Sequence, residues 1–226
     1  DSKGLEYFCK RMASRGYAAI SVSYRLTMKD IGFDCEITPE QKLSAIDSAT
    51  NDVLMALKKV LAEPSNFKID KSKIVLLGSS AGAETVLNLA YNTAYKEEIE
   101  GLEFAGVVSL SGALTNINSI TFENAIPTQM IHGTGDALVP YDVAAHHYCD
   151  GKEVDGLMLY GPSYMAQRLK GMNVPYYLYT IQGGTHEWAG KAFTYCFNEI
   201  VNFLYNDVVS PSVLRQTEQT ILFTEK

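Results

Sequence analysis

The sequence predicts an α/β fold, a mostly parallel sheet with helices on both faces, and three observations lead there. Short apolar runs alternate along the chain with longer stretches whose apolar residues recur at helical spacing. The runs are apolar on both of their sides, as strands covered on both faces must be. Several of them stop at glycine or serine, the residues that turn a chain sharply at a strand end.

Taken in order, Leu5, Phe8, Cys9 and Met12 make the first helical stripe, with Gly16 as its stop. Ala18 to Tyr24 (AAISVSY) reads as a buried strand, and Arg25 to Gln41, with Gly32 and Pro39, as a loop. Ile46, Ala49, Val53, Leu54, Leu57, Val60 and Leu61 form one face of a helix that ends before Pro64. Lys73 to Leu77 is a short strand. A helix with Ala83, Val86, Leu87 and Ala90 on one side follows it after a small-residue turn. Phe104 to Leu110, Thr128 to His132 and Tyr176 to Ile181 are three further strands, closed by Ser111-Gly112, Gly133 and Gly183-Gly184. Tyr141 to Gly161 is long for a connection, and a helix is expected from Ser163. Phe193, Phe197, Ile200, Val201 and Leu204 mark the last helix. Residues 1–206 thus read as one domain and 207–226 as an extension, in which Leu214 to Thr224 could add an edge strand.

Composition narrows the function classes. The 226 residues carry a net charge of -7, which disfavours a nucleic-acid partner, since phosphate binding needs a basic face. No apolar run is long enough for a membrane span, and no basic-then-apolar leader opens the chain. Compartment and oligomeric state stay open. The four cysteines, Cys9, Cys35, Cys149 and Cys196, match no zinc spacing, and reduced structural thiols are favoured over disulfides.

One turn carries chemistry. Gly78-Ser79-Ser80-Ala81-Gly82 lies between an apolar strand and a helix. A Gly-x-Ser-x-Gly pattern alone is weak, arising by chance in about one chain of this length in ten. In a strand–turn–helix context it is a nucleophile elbow, with the Ser80 hydroxyl exposed at a helix N-terminus that favours developing negative charge. Serine needs a base to take its proton. Of His132, His146, His147 and His186, only His186, in Gly183-Gly184-Thr185-His186-Glu187-Trp188, sits just past a strand end where sites of open sheets gather. His132 reads as a packing and hydrogen-bonding residue, and His146 and His147 as surface or loop residues rather than a metal site. Asp136, on the turn His132-Gly133-Thr134-Gly135-Asp136, is the favoured acid over Asp142, Asp150 and Asp155. Its role would be to orient His186 and stabilise the imidazolium. Trp188 and Tyr141 are candidates for the substrate wall, with simple packing an equal alternative for Trp188.

These motifs resemble a known family. Ser14-Arg15-Gly16-Tyr17-Ala18, Val22-Ser23-Tyr24-Arg25-Leu26, the GSSAG turn, His132-Gly133-Thr134-Gly135-Asp136 with Val139-Pro140, and Gly184-Thr185-His186 are similar to the carboxylesterase and lipase group of α/β hydrolases. The likeness is to esterases described as acetyl-xylan or feruloyl esterase-like, over about residues 4–205. It implies an α/β-hydrolase sheet and hydrolysis of a small-molecule or carbohydrate ester through an acyl-enzyme. It further implies no cofactor, no metal, and the Ala81 N–H as one oxyanion donor. A prolyl-oligopeptidase-like peptidase and a non-catalytic protein on the same scaffold are the alternatives. The family's other oxyanion donors come from a His-Gly-Gly loop, absent from this sequence. The resemblance places the strand before that loop between AAISVSY and KIVLL. The expectation is therefore an N-terminally incomplete hydrolase, with weak or no activity from these residues alone.

Overall fold

The computed structural model of the chain describes residues 2–62, 69–95, 98, 102–148 and 156–222. In chain order its helices and strands are α1 (Ser2–Ala13), α2 (Pro39–Ala62), β1 (Ile74–Ser79), α3 (Ala81–Tyr91), β2 (Phe104–Leu110), β3 (Thr128–Gly133), β4 (Val143–Ala145), β5 (Met158–Tyr160), α4 (Pro162–Gly171), β6 (Tyr176–Gln182), α5 (Trp188–Tyr195), α6 (Phe197–Phe203) and β7 (Gln216–Leu222). Among the described residues β1, β2, β3, β6 and β7 form one sheet in that spatial order, and every pair in it is parallel.

The alternation of side chains along each strand divides the interior into two cores. On one face Leu76, Val107, Met130, Tyr176 and Leu178 pack with Val53 and Leu54 of α2, Leu87 of α3 and Met165 and Leu169 of α4. On the other face Val108, Ile131, Tyr177, Tyr179 and Ile181 meet Phe8 and Met12 of α1, Ala192 of α5 and Ile200 and Phe203 of α6. The strands are apolar on both sides because both faces are covered. The sheet with helices on both faces is the predicted architecture.

Several expectations are corrected. Ala18 to Tyr24 forms no strand and is not buried: Ile20 is 44% exposed, and only Ala19, Val22 and Tyr24 pack against the cores. A strand exists only where a neighbour pairs its backbone groups, and β1 pairs with β2 alone among the described residues. The segment is held instead at its end, where Arg25 donates to Asp52 of α2 from Nε (2.8 Å), Nη2 (2.6 Å) and its backbone N–H (2.8 Å). That pairing takes the Asp52 carboxyl down to about 2.

Helix α2 begins at Pro39, inside the expected loop. Thr38 Oγ1 accepts from the Gln41 N–H (3.3 Å), and Gln41 Oε1 accepts from the Thr38 N–H (3.0 Å). This is a reciprocal cap with proline at the first helical position. The expected last helix is divided at Cys196 into α5 and α6 and runs on into a π-helical turn over Leu204–Val209. The long 141–161 connection contains the β4–β5 antiparallel pair. The tail supplies β7, in parallel register with β6 from Tyr176–Gln216 to Gln182–Leu222. Cys35 is disulfide-bonded, against the expectation of reduced thiols, while Cys9 and Cys196 are free. Spacing along the chain does not reveal whether two Cα atoms come within bridging range; the fold decides it.

Candidate active site

The GSSAG turn joins β1 to α3 without a spare residue. Ser80 takes φ 53° and ψ -124°, outside the regions open to an L-residue without strain, and its N–H is held by Leu110 O at 2.9 Å. The chain reverses so tightly that a Cβ on Gly78 would lie 2.1 Å from Gly82 O, so position 78 tolerates only glycine. Ser79 Oγ donates to Ala189 O of α5 at 2.7 Å, which ties the elbow to the opposite layer. Ala81 opens α3, where backbone N–H groups have no intrahelical acceptor.

His186 and Asp136 stand on turns after the neighbouring strands β6 and β3. These turns interlock. The Gly135 N–H donates to Gly184 O (2.9 Å), the Thr134 N–H to Ile181 O (3.0 Å) and the Gly183 N–H to Thr134 Oγ1 (2.8 Å). A Cβ on Gly133 would meet Gly184 O at 2.1 Å, so the close approach again demands glycine.

The three side chains meet in one line. Ser80 Oγ lies 2.7 Å from His186 Nε2, and His186 Nδ1 lies 2.8 Å from Asp136 Oδ2. Burial deepens along it: Ser80 is half-buried, the His186 side chain is 24% exposed and the Asp136 side chain 0%. Burial alone would raise the Asp136 carboxyl. Hydrogen bonds from His132, His186 and the Val139 N–H outweigh that and hold it well below the ordinary carboxylate range. Its Oδ1 accepts from the N–H groups of Leu138 (2.9 Å) and Val139 (3.0 Å). His132, fully enclosed, contacts Asp136 Oδ2 at 3.3 Å and Val139 O at 3.1 Å. An ionised carboxylate with these donors keeps a proton on His186 Nδ1, which leaves Nε2 free to accept the Ser80 hydroxyl.

For Trp188 the structure shows the packing alternative, and Tyr141 is half-buried. Trp188 is 6% exposed and packs in the core with α1, α5 and α6, its ring tilted against Tyr195. Tyr141 donates to or accepts from Thr180 Oγ1 at 2.6 Å and stands edge-on to His132, so it supports the acid's partner rather than an open pocket. Asp142 is exposed and accepts from Ser163 Oγ; Asp150 and Asp155 lie outside the described residues. His146 and His147, expected as surface or loop residues, lie on the turn after β4, but His146 is 4% exposed and faces Glu84 of α3. Glu84 carried one overlooked signal: it is the only charged residue of α3, a helix otherwise nearly free of polar surface. No group of three or more His, Cys, Asp or Glu side chains able to hold a metal occurs among the described residues. Among the described residues no helix is long and apolar enough to cross a membrane.

Comparison with known proteins agrees with this architecture. Residues 2–157 match the family described as the alpha/beta hydrolase fold. A truncated form of a carbohydrate esterase from gut microbiota superposes with a TM-score of 0.56 at 15% identity, covering 83% of this chain and 73% of that one. Esterase PE8 superposes with a TM-score of 0.51 at 16% identity, covering 77% and 67%. No curated protein sequence matches the chain. With more than half of its length matched, and a parallel sheet whose strand ends carry the site, the chain belongs to the alpha/beta hydrolase fold family.

Proposed function

We propose that the protein is a serine hydrolase that cleaves carboxylic esters through an acyl-enzyme. The observation that carries this reading is the continuous line from Ser80 Oγ through His186 to Asp136, at 2.7 and 2.8 Å. Ser80 attacks the ester carbonyl while His186 Nε2 takes its proton, and Asp136 stabilises the imidazolium. The Ala81 N–H donates a hydrogen bond to the developing oxyanion. His186 then gives its proton to the departing alcohol, and water repeats the cycle on the acyl-serine. The kinship in fold with a carbohydrate esterase supports an acylated carbohydrate as the substrate class.

A fluorophosphonate probe should label the wild type at Ser80 and leave Ser80→Ala unlabelled, with hydrolysis of short p-nitrophenyl esters lost in step. Equal labelling of both proteins would refute the assignment. A polypeptide of these 226 residues alone, which hold no His-Gly-Gly loop, should turn esters over about 10²–10³-fold more slowly than an enzyme with a full oxyanion hole. Labelling, which needs mainly an activated serine, should persist.

A further inference from the structure

A second charged cluster adjoins the triad, and the mechanism above does not use it. Its centre is Glu84, one turn into α3, whose N–H donates to Ser80 O at 3.1 Å. Glu84 is 4% exposed, and its Oε1 has no hydrogen-bond partner among the described residues. That oxygen faces His146 Nε2 at 3.8 Å. The His146 ring stacks edge-on with His147 at 4.3 Å and with Phe33 at 5.5 Å. The turn carrying both histidines is bonded in turn to the acid loop, since the His147 N–H donates to Leu138 O (2.9 Å) and the Leu138 N–H donates to Asp136 Oδ1 (2.9 Å). His147 itself holds φ 59°, a left-handed conformation that a histidine keeps only when its surroundings impose it. Glu84 therefore stands between the helix of the nucleophile and the loop of the acid.

We propose that Glu84 is a positioning residue for the triad, a protonated carboxyl wedged between α3 and the 146–147 turn that leaves Asp136 as the single buried negative charge beside His186. The groups that face it come from every element packed on it. Lys42 of α2, 2% exposed, attracts the ionised form; Asp136 opposes it; Tyr24 of the 17–26 segment, His146 and His147 complete the enclosure. Burial is the largest influence and pushes the carboxyl up to about 8, with Lys42 lowering and Asp136 raising it further. Burial likewise takes His146 down to about 3, so this ring is neutral and supplies no counter-charge. Loss of the Glu84 proton to water places a second carboxylate next to Asp136. The two carboxylates then repel each other, and the loop that carries Asp136, the partner of His186, is pushed from α3.

The proposal rests on the triad reading for its catalytic consequence, and its test separates the two. Histidine-labelled wild type, followed by NMR, should show the His186 resonance shifting a second time near pH 8, and Glu84→Gln should lack that step. The fluorophosphonate labelling rate should bend in the same pH range in the wild type and not in Glu84→Gln. Infrared spectra of the wild type alone should show a protonated carboxyl at pH 7 that titrates away near pH 8, which decides the matter even if the variant does not fold. A carboxyl already ionised at pH 7, or a His186 step that survives in Glu84→Gln, overturns the proposal. Absence of labelling at any pH overturns the triad reading instead, while the NMR and infrared titrations still decide the state of Glu84.

Discussion

His186 is oriented from one side by a carboxylate that is itself saturated with donors. Asp136 Oδ1 is occupied by two backbone N–H groups and Oδ2 by His186 and His132, so its two oxygens are not interchangeable. An Asp136→Asn side chain can keep its carbonyl on the backbone donors, which turns its NH₂ toward His186 Nδ1. That forces the proton to Nε2, the tautomer that cannot accept from Ser80. Labelling of Ser80 should therefore slow by about 10⁴-fold with little loss of folded protein, measured by probe incorporation beside circular dichroism. The line of Ser80, His186 and Asp136 that the proposal rests on was legible in the sequence because each member sits in a short motif at a strand end, where the neighbouring residues announce the turn. For Trp188 the sequence left wall and core as equal alternatives, and for Tyr141 it did not show the half-buried place beside His132. A residue's type shows that it can line a pocket or fill a core, and only its neighbours decide which.

Elements show the same division. Strands β2, β3 and β6 fall where their apolar runs do, because their composition already suits a site covered on both faces. Ala18 to Tyr24 has strand composition and no strand, since its pairing partner is a matter of tertiary structure. The start of α2 was legible and overlooked: Thr38-Pro39-Glu40-Gln41 is the sequence form of the reciprocal cap observed. The elbow between β1 and α3 is the most demanding connection. A methyl group at position 78 would enter the Gly82 carbonyl, and backbone atoms cannot step aside as a flexible side chain can. Gly78→Ala should thus abolish Ser80 labelling and lower the unfolding midpoint, whereas Gly82→Ala, whose added Cβ meets nothing closer than Tyr24 Oη at 3.7 Å, should keep most of both.

For the whole molecule, the buried ionisable groups set how stability varies with pH. Glu84 has a folded-state value near 8 against an ordinary 4.5, so the folded protein holds a proton that the unfolded chain releases. That contribution is complete below about 4.5 and is lost as the pH rises through 8. His146, near 3 against an ordinary 6.5, acts in the opposite sense and removes stability as the pH falls below 6.5. Between 6.5 and 8 Glu84 acts alone of the two, and stability should fall as the pH rises. Urea unfolding across this window should show the slope in the wild type and its loss in Glu84→Gln; a flat wild-type profile would contradict it.

By itself the sequence determined the α/β class, the strands β2, β3 and β6, and the chain order of Ser80, Asp136 and His186 to which the proposed roles are given. These are written in patterns a few residues long: the alternation of side chains, the small residues that permit a tight turn, the charge of a single group. The tertiary structure alone decided that AAISVSY pairs with no strand among the described residues, that Cys35 is bridged, which of its two readings holds for Trp188, and that Glu84 is enclosed beside the proposed triad. Each of these depends on what another part of the chain places against a residue. A side chain's own sequence neighbourhood sets the face it occupies, but burial and charge are properties of whatever covers that face.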